Sequence, residues 1–378
     1  MNLASFNMSG INQWIFILFI GAWGIQFAYL VFIHLRFILF RSSPIDPNGQ
    51  YPPLSVIVAA RNESENLYEL IPLILEQDYP NFEIIVVNNQ SMDDSKWLLK
   101  AYQRQYPNIH VVELEKNQHL RPGKKLPLTL AVRAANFDHF IFTDADCRPT
   151  SKHWLKTMAK GFSSSTEIVL GYGPYVVEKG FINRLVRFDT AWIAMNYFSF
   201  ALSGLPYMGV GRNLAYSRKA FESVGGFKSH YYIVSGDDDL FIQQAAKNRN
   251  YTIAIEEESF CPSAPETTWK RWVYQKRRHY STSSHYNVIK KSLLGIYPVS
   301  LFFLLISFIS LLLTNTMVWV SVGLFFGLIL VKWLIQGRGL FKLKEKGLAW
   351  FFPFWDFFYA IFIPLVFLLL NRKPRNKW

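Results

Sequence analysis

Long uninterrupted apolar runs at the two ends of the chain enclose a middle in which short apolar runs alternate with helical patterns. Residues 14–33 are uncharged and apolar apart from Gln26. Residues 293–313 and 317–335 read the same way, with Lys332 near enough to one end for its ammonium to snorkel. Each run approaches the about 20 residues a helix needs to cross a bilayer. A cleaved signal peptide does not fit the first run, because its start lacks charge and its basic residues, Arg36 and Arg41, follow it. The positive-inside rule then predicts an outside N-terminus and a cytoplasmic domain after the first helix. Thr314-Asn315-Thr316 reads as an outside turn, and 337–347, carrying Arg338, Lys342, Lys344 and Lys346, as a return to the cytoplasm. Residues 348–370 are long enough to cross but contain Pro353, Asp356 and Pro364. They form either a fourth crossing or a kinked re-entrant segment that keeps the basic tail, Arg372, Lys373, Arg375 and Lys377, inside. An acid at that depth is costly, so Asp356 requires a partner, water or a function.

In the middle, residues 54–60, 82–87 and 109–114 are apolar, largely β-branched runs of strand length, and 140–143 leads into two acids. Helical patterns follow to past Leu75, to about Tyr106, and from the run Arg121-Pro122-Gly123-Lys124-Lys125 to Asn136. Ser64 or Asn62 is suited to cap the first of these helices. Strands alternating with helices predict an α/β domain with a parallel sheet. Residues 181–206 are aromatic and apolar, with Arg184, Arg187 and Asp189 near the start. They form either an amphipathic segment on the membrane surface or a helix buried in the domain. The expected organisation is a tail over 1–12, a transmembrane helix over 13–40, a linker over 41–52, a catalytic domain over 53–292 with an interfacial segment near 181–206, and a membrane region over 293–378 with two to three helices.

Composition narrows the partners. The net charge of +13 is unevenly distributed, which reads as membrane topology and phosphate attraction, and no nucleic-acid-binding signature appears. Two cysteines, Cys147 and Cys261, make neither a disulfide framework nor a zinc site, which fits a reducing compartment. Neither a G-x-G-x-x-G nor a P-loop pattern is present.

Two acidic clusters carry the candidate chemistry. Asp144 and Asp146 end the strand at 140–143, where open α/β sheets bind their ligands. Two hard oxygen donors there suit Mg²⁺ or Mn²⁺ bridging a diphosphate, and an Asx turn closing the strand is the plainer alternative. Asp237, Asp238 and Asp239 follow Gly236, and a helix start is where three adjacent carboxylates are best tolerated. Residues 269–291 hold seven Lys or Arg and no acid, which suits phosphate contacts or an anionic lipid surface.

The stretches Ser55-Val56-Ile57-Val58-Ala59-Ala60-Arg61-Asn62-Glu63, Gln77-Asp78-Tyr79-Pro80, Val86-Val87-Asn88-Asn89-Gln90-Ser91 and Thr143-Asp144-Ala145-Asp146, in this order and spacing, resemble family 2 glycosyltransferases with the GT-A fold. The resemblance covers roughly 53–285 and extends to the membrane-embedded group that includes cellulose and hyaluronan synthases and ceramide glucosyltransferase. It implies a nucleotide-sugar donor, a UDP-sugar first, held by Asn62, Asn89, Lys124 (or Lys125), Asp144, Gln275 and Arg278, with Asp144 and Asp146 binding Mg²⁺ or Mn²⁺. Many relatives carry Asp where this chain has Asn89, which leaves the donor open. Gln275-Lys276-Arg277-Arg278-His279 resembles the Gln-x-x-Arg-Trp motif, with His279 in the place of the Trp that stacks on the acceptor. Arg212 and Asn213 fall in a segment that lines the acceptor side in relatives. The register with Leu240 makes Asp237 the general base and Asp238 the fallback, with Gly236 where relatives have Glu.

The expectation is therefore a membrane-embedded, inverting, metal-dependent glycosyltransferase that works on the cytoplasmic face of the cell membrane with a lipid or glycan acceptor. A processive polysaccharide synthase and a non-catalytic scaffold with a degenerate transferase domain are the alternatives.

Overall fold

The computed structural model describes residues 10–44, 49–115 and 123–370, so Arg121, Pro122 and the basic tail after Leu370 lie outside the described residues. It divides into two units, residues 40–286 and a membrane-type unit of residues up to 39 together with 287–370.

The first unit is built on a seven-stranded sheet: β1 Leu54–Ala60, β2 Phe82–Asn89, β3 Ile109–Leu114, β4 His139–Asp144, β5 Ile168–Leu170, β6 Leu214–Ser217 and β7 Tyr251–Ile253, in the order β3-β2-β1-β4-β6-β5-β7. Its first half is parallel, as the strand–helix alternation predicts. The second half departs from that expectation, because β6 runs antiparallel to both β4 and β5. Three- and four-residue strands carry too little periodic signal to reveal their direction in the sequence.

The β1 and β2 runs are apolar on both faces because both faces are covered. Leu67, Leu70, Ile71 and Ile74 of helix Ser64–Leu75 pack on Val56, Val58, Ile84 and Val86. Helix Lys125–Ala134 packs across β1 and β2. Near the antiparallel half, the Phe142 and Tyr216 rings stack with centroids 4.3 Å apart. Neither Asn62 nor Ser64 caps helix Ser64–Leu75; the Ser64 amide donates instead to the Asp93 carboxylate of the next loop, 2.9 Å away.

Helix Phe181–Leu202 overturns the membrane-surface reading of 181–206. Its residues from Leu185 to Ala201 are buried almost without interruption, the Tyr197 hydroxyl donates to the Gly171 carbonyl at 2.7 Å, and Asp189 is ion-paired with Lys276. A helix buried around most of its circumference is a core helix, and its buried charge Asp189 is paired accordingly.

In the membrane-type unit, three helices among the described residues are long and apolar enough to cross a bilayer: Gly10–Leu39, Val288–Leu313 and Val318–Lys342. The first runs through a π-helical turn at Leu30–His34. Helix Phe352–Leu370 follows a short helix, Lys346–Trp350, and continues through Pro364; it is not among those three. Lys332 does not snorkel: it is 2% exposed and its ammonium lies 2.6 Å from the Asp356 carboxylate, itself 3% exposed. The Gln26 amide oxygen accepts from Lys332 at 2.8 Å and the Tyr297 hydroxyl donates to Asp356 at 2.7 Å. The partner that Asp356 requires is thus a cation from the preceding long helix.

Candidate active site

β4 ends in Asp144, which pairs in register with Ala59 of β1. The chain turns at once, so Asp146 projects beside Asp144 from the same edge of the sheet. The Lys124 ammonium reaches Asp144 at 2.5 Å. Burial alone would raise the Asp144 carboxyl, but Lys124, with Arg212 and Arg278, draws it below the usual carboxylate range. Asp146 moves the other way, raised by burial and by the charge of Asp144. Two carboxylates held this close favour a cation between them. No group of three or more His, Cys, Asp or Glu side chains suited to a metal occurs among the described residues. The chain therefore offers two hard oxygen ligands, and a Mg²⁺ or Mn²⁺ bound there would complete its shell with phosphate and water oxygens, the pattern usual for such ions.

The second acidic cluster faces the same space. A cavity of about 410 Å³ is lined by Lys124, Asp144, Asp146, Arg212, Asp237, Asp238, Gln275, Arg278 and His279, together with tyrosines that include Tyr175 and Tyr286. Gly236 stands before the acids with φ +97°, and a Cβ on it would lie 2.6 Å from a Leu240 methyl. That left-handed backbone and the close Leu240 side chain both favour glycine at this position.

The three adjacent aspartates have different partners. Asp238 caps helix Asp239–Ala245 by accepting from the Asp239 amide at 2.8 Å and accepts from the Gly211 amide at 3.0 Å. Asp239 accepts from the Thr282 hydroxyl and from the Tyr286 hydroxyl at 2.7 Å. Asp237 is left facing the cavity. Burial, then the charges of Asp237 and Asp239, push the Asp238 carboxyl up to about 7. Asp239 is raised chiefly by burial, against its hydrogen bonds.

A stability prediction follows from Asp238. Its folded value of about 7 lies above its ordinary 3.8, so between those values the folded state holds a proton that the unfolded chain has lost. Stability contributed there falls as pH rises through that window. Thermal melts of the wild type and Asp238→Asn from pH 5 to 8 should diverge in the variant's favour as pH rises, on top of a constant loss from one missing acceptor. Parallel curves would contradict the assignment.

Helix Trp269–Ser283 supplies the cationic wall. The Gln275 amide donates to the Tyr175 hydroxyl at 3.0 Å, and the Arg212 guanidinium sits 4.5 Å over the Tyr175 ring while donating to the Gly173 carbonyl. The His279 ring opens onto the cavity. Enclosure, then Arg278, Lys276, Arg212 and Lys124, hold its imidazole well below the usual value, and so neutral.

The residues singled out from the sequence do not all meet here. Asn213 is 0% exposed and lies behind the cavity: its amide nitrogen donates to the Tyr172 and Ser259 carbonyls, and its oxygen accepts from the Trp154 indole at 3.1 Å. With these bonds made inside the fold, Asn213 has no face for an acceptor. Asn62 and Asn89 sit at the ends of β1 and β2, outside the lining of this cavity; the Asn62 oxygen accepts from the Met92 amide at 2.7 Å. Lys124 and Lys125, equivalent in the sequence, separate completely: Lys124 meets Asp144, whereas Lys125 turns away to three backbone carbonyls. Tyr175, Thr282 and Tyr286 were not legible as site residues, since lone hydroxyls outside any motif carry no pattern.

Residues 55–225 match the family model described as glycosyl transferase family 2. Among curated proteins, the chain is 26% identical over 203 residues to Glycosyltransferase AglE of Haloferax volcanii, covering 51% of this chain and 61% of that protein. It is also 26% identical over 203 residues to the beta-monoglucosyldiacylglycerol synthase of Synechocystis, covering 51% of this chain and 40% of that protein. The chain thus spans less than two thirds of the length of these relatives. Among solved structures, the mannosyltransferase PcManGT from Pyrobaculum calidifontis, in complex with GDP-Man and Mn²⁺, superposes with a TM-score of 0.56 at 17% identity, covering 93% of this chain and 99% of that one. The parallel half-sheet ending in Asp-Ala-Asp and the shared fold agree with that match: residues 55–225 form a domain matching glycosyl transferase family 2, within a unit of GT-A fold.

Proposed function

We propose that the protein transfers a sugar from a nucleotide-sugar to a lipid or glycan acceptor, with inversion, on the cytoplasmic side of the membrane. The observation that carries this reading is the meeting of Asp144, Asp146 and Lys124 with Asp237, Gln275 and Arg278 around one cavity. Lys124, Arg278 and Gln275 hold the donor diphosphate, Arg278 by paired N–H contacts to phosphate oxygens. Asp237 accepts the proton of the acceptor hydroxyl. The freed oxygen attacks the anomeric carbon from the face opposite the diphosphate, the carbon–oxygen bond to the diphosphate breaks, and the nucleoside diphosphate leaves with that electron pair. A divalent cation held by Asp144 and Asp146 supplies charge neutralisation on the departing diphosphate. His279, neutral and open to the cavity, stacks on or hydrogen-bonds the acceptor, and Arg212 borders the same side.

A lipid acceptor is favoured over a growing polymer because a small neutral imidazole stands where polymer synthases stack a sugar on an indole. The similarity to a beta-monoglucosyldiacylglycerol synthase of Synechocystis supports the same choice. Asn62 and Asn89, at the β1 and β2 ends, are assigned to the nucleoside, with a UDP-sugar the first donor to try.

The test is nucleotide release by the detergent-purified full chain, screened with UDP- and GDP-sugars, with and without membrane lipid extract. Release that needs one donor and lipid is expected. Adding EDTA should abolish it, and Mn²⁺ or Mg²⁺ should restore it. A ladder of polymer formed without lipid would favour the processive synthase. Silence with every donor, together with no nucleotide binding by calorimetry, would leave the scaffold reading.

A further inference from the structure

Lys125 is an ammonium buried to 3% exposure in a protein unit rich in acids, yet its hydrogen bonds go to carbonyls alone. It donates to His230 O at 2.6 Å, Ile233 O at 2.8 Å and Ser235 O at 2.7 Å. Three donors meet three acceptors, so the head group is saturated. All three carbonyls lie in the stretch from His230, the last residue of the short helical turn Lys228–His230, to Gly236, which delivers Asp237 to the cavity. Its other holds include the Ser229 hydroxyl on His230 Nδ1 at 2.9 Å and the Ile233 amide on the His230 carbonyl at 3.0 Å, while Tyr232 is 64% exposed and Tyr231 39%. Immediately before Lys124, Gly123 adopts φ +131°, and a Cβ on it would lie 2.8 Å from the Val234 carbonyl oxygen. The same loop therefore rests on the backbone of 123–125 and hangs from its lysine.

We infer that Lys125 is a positioning residue that holds the 230–236 loop and so sets where Asp237 stands relative to Lys124 and Asp144. Lys124 and Lys125 are joined by one peptide bond and point to opposite partners, the carboxylate of β4 and the loop before Asp237. A shift of one side is transmitted to the other without any contact between the two acidic clusters. This inference rests on the reading of Asp237 as general base.

The charged groups facing Lys125 are Asp237, Asp239 and Asp238 from the acidic segment, with His230 from the loop and Lys124 beside it in the chain. Burial outweighs the acids and lowers the Lys125 ammonium to about 8, and burial and Lys125 lower His230 to about 4, which leaves His230 neutral throughout the working range. Above pH 8 a neutral amine has two N–H groups for three carbonyls, so the loop loses a bond.

The experiment compares wild type, Lys125→Met and Lys125→Arg in the full chain, using the donor found active in the release assay. Lys125→Met should lower kcat by about 100-fold, the scale of a misplaced reacting group, with the donor KM changed less than threefold. Hydrogen exchange in 230–236 should accelerate in Lys125→Met and recover in Lys125→Arg. The wild-type kcat should decline above pH 8, and that decline should vanish in Lys125→Arg, whose guanidinium stays charged. Unchanged kcat and exchange in Lys125→Met would overturn the inference, as would a loss shared equally by nucleotide affinity. If Lys125→Met does not fold, the pH profile of Lys125→Arg decides alone, and an alkaline decline retained there counts against it. A wild type silent with every donor would instead defeat the transferase reading, while the exchange data would still report on the loop.

Discussion

Asp237→Asn is expected to lower kcat by about 10³-fold, within the range by which a positioned general base accelerates proton transfer. The amide preserves the shape of the side chain but cannot take the proton of the acceptor hydroxyl. Nucleotide-sugar affinity should stay within about threefold of wild type, because the donor contacts are assigned to Lys124, Gln275 and Arg278. The geometry distinguishes this residue from its neighbours. Asp238 spends both oxygens on backbone amides and Asp239 spends its own on Thr282, Tyr286 and Leu240. A variant that keeps wild-type turnover would move the base to Asp238, and isothermal calorimetry with the nucleotide would separate lost chemistry from lost binding.

The second large effect lies in the membrane-type unit. Asp356→Ala removes the counter-ion of Lys332, whose ammonium is 2% exposed and otherwise meets Gln26 at 2.8 Å. An ammonium stranded in a buried site costs about 3–5 kcal/mol. The Tyr297 hydroxyl loses its acceptor in the same step. With Asp356 the network joins four helices, since Gln26 also donates to the Tyr297 carbonyl and the Ser300 hydroxyl, both at 2.8 Å, and Gln336 donates to His34 at 2.8 Å. Thermal unfolding of the full chain in nanodiscs should therefore fall sharply for Asp356→Ala. The paired replacement of Lys332 by Met and Asp356 by Leu should recover most of the loss, because apolar side chains of similar volume need no counter-charge. Equal instability of the single and double variants would show that the pair's hydrogen bonds, and not its charge balance, hold the helices.

Much of this architecture was written locally. The first four strands, the helices between them and the three long apolar helices follow from runs and periodicities that a chain of such residues can hardly satisfy otherwise, since a continuous β-branched run buries both faces and a run of about 20 apolar residues suits a bilayer. The acids at 144 and 146 stood out because they end an apolar run at a strand edge, and Asp237 was singled out by its register with Leu240 in the family resemblance. Their order and spacing also carried the family resemblance.

What the sequence left open turned on partners far away in the chain. Whether residues 181–206 lay on a membrane or in a core depended on what covered them, because an apolar, aromatic helix with a few charges near its start looks alike in both settings. Lys332 read as a surface-seeking cation until Asp356, 24 residues later, was placed beside it. Adjacent lysines 124 and 125 are interchangeable in a linear pattern, and only the fold, by turning one toward β4 and the other under the loop before Asp237, gives them different partners. Asn213 was assigned to the acceptor because its segment lines the acceptor side in relatives, yet its buried amide is committed to the Tyr172 and Ser259 carbonyls and the Trp154 indole. Local pattern determines which faces are apolar and where an element ends, because those depend on neighbours in sequence. Hydrogen bonding and charge compensation of buried polar groups depend on neighbours in space, and these only the tertiary structure decided.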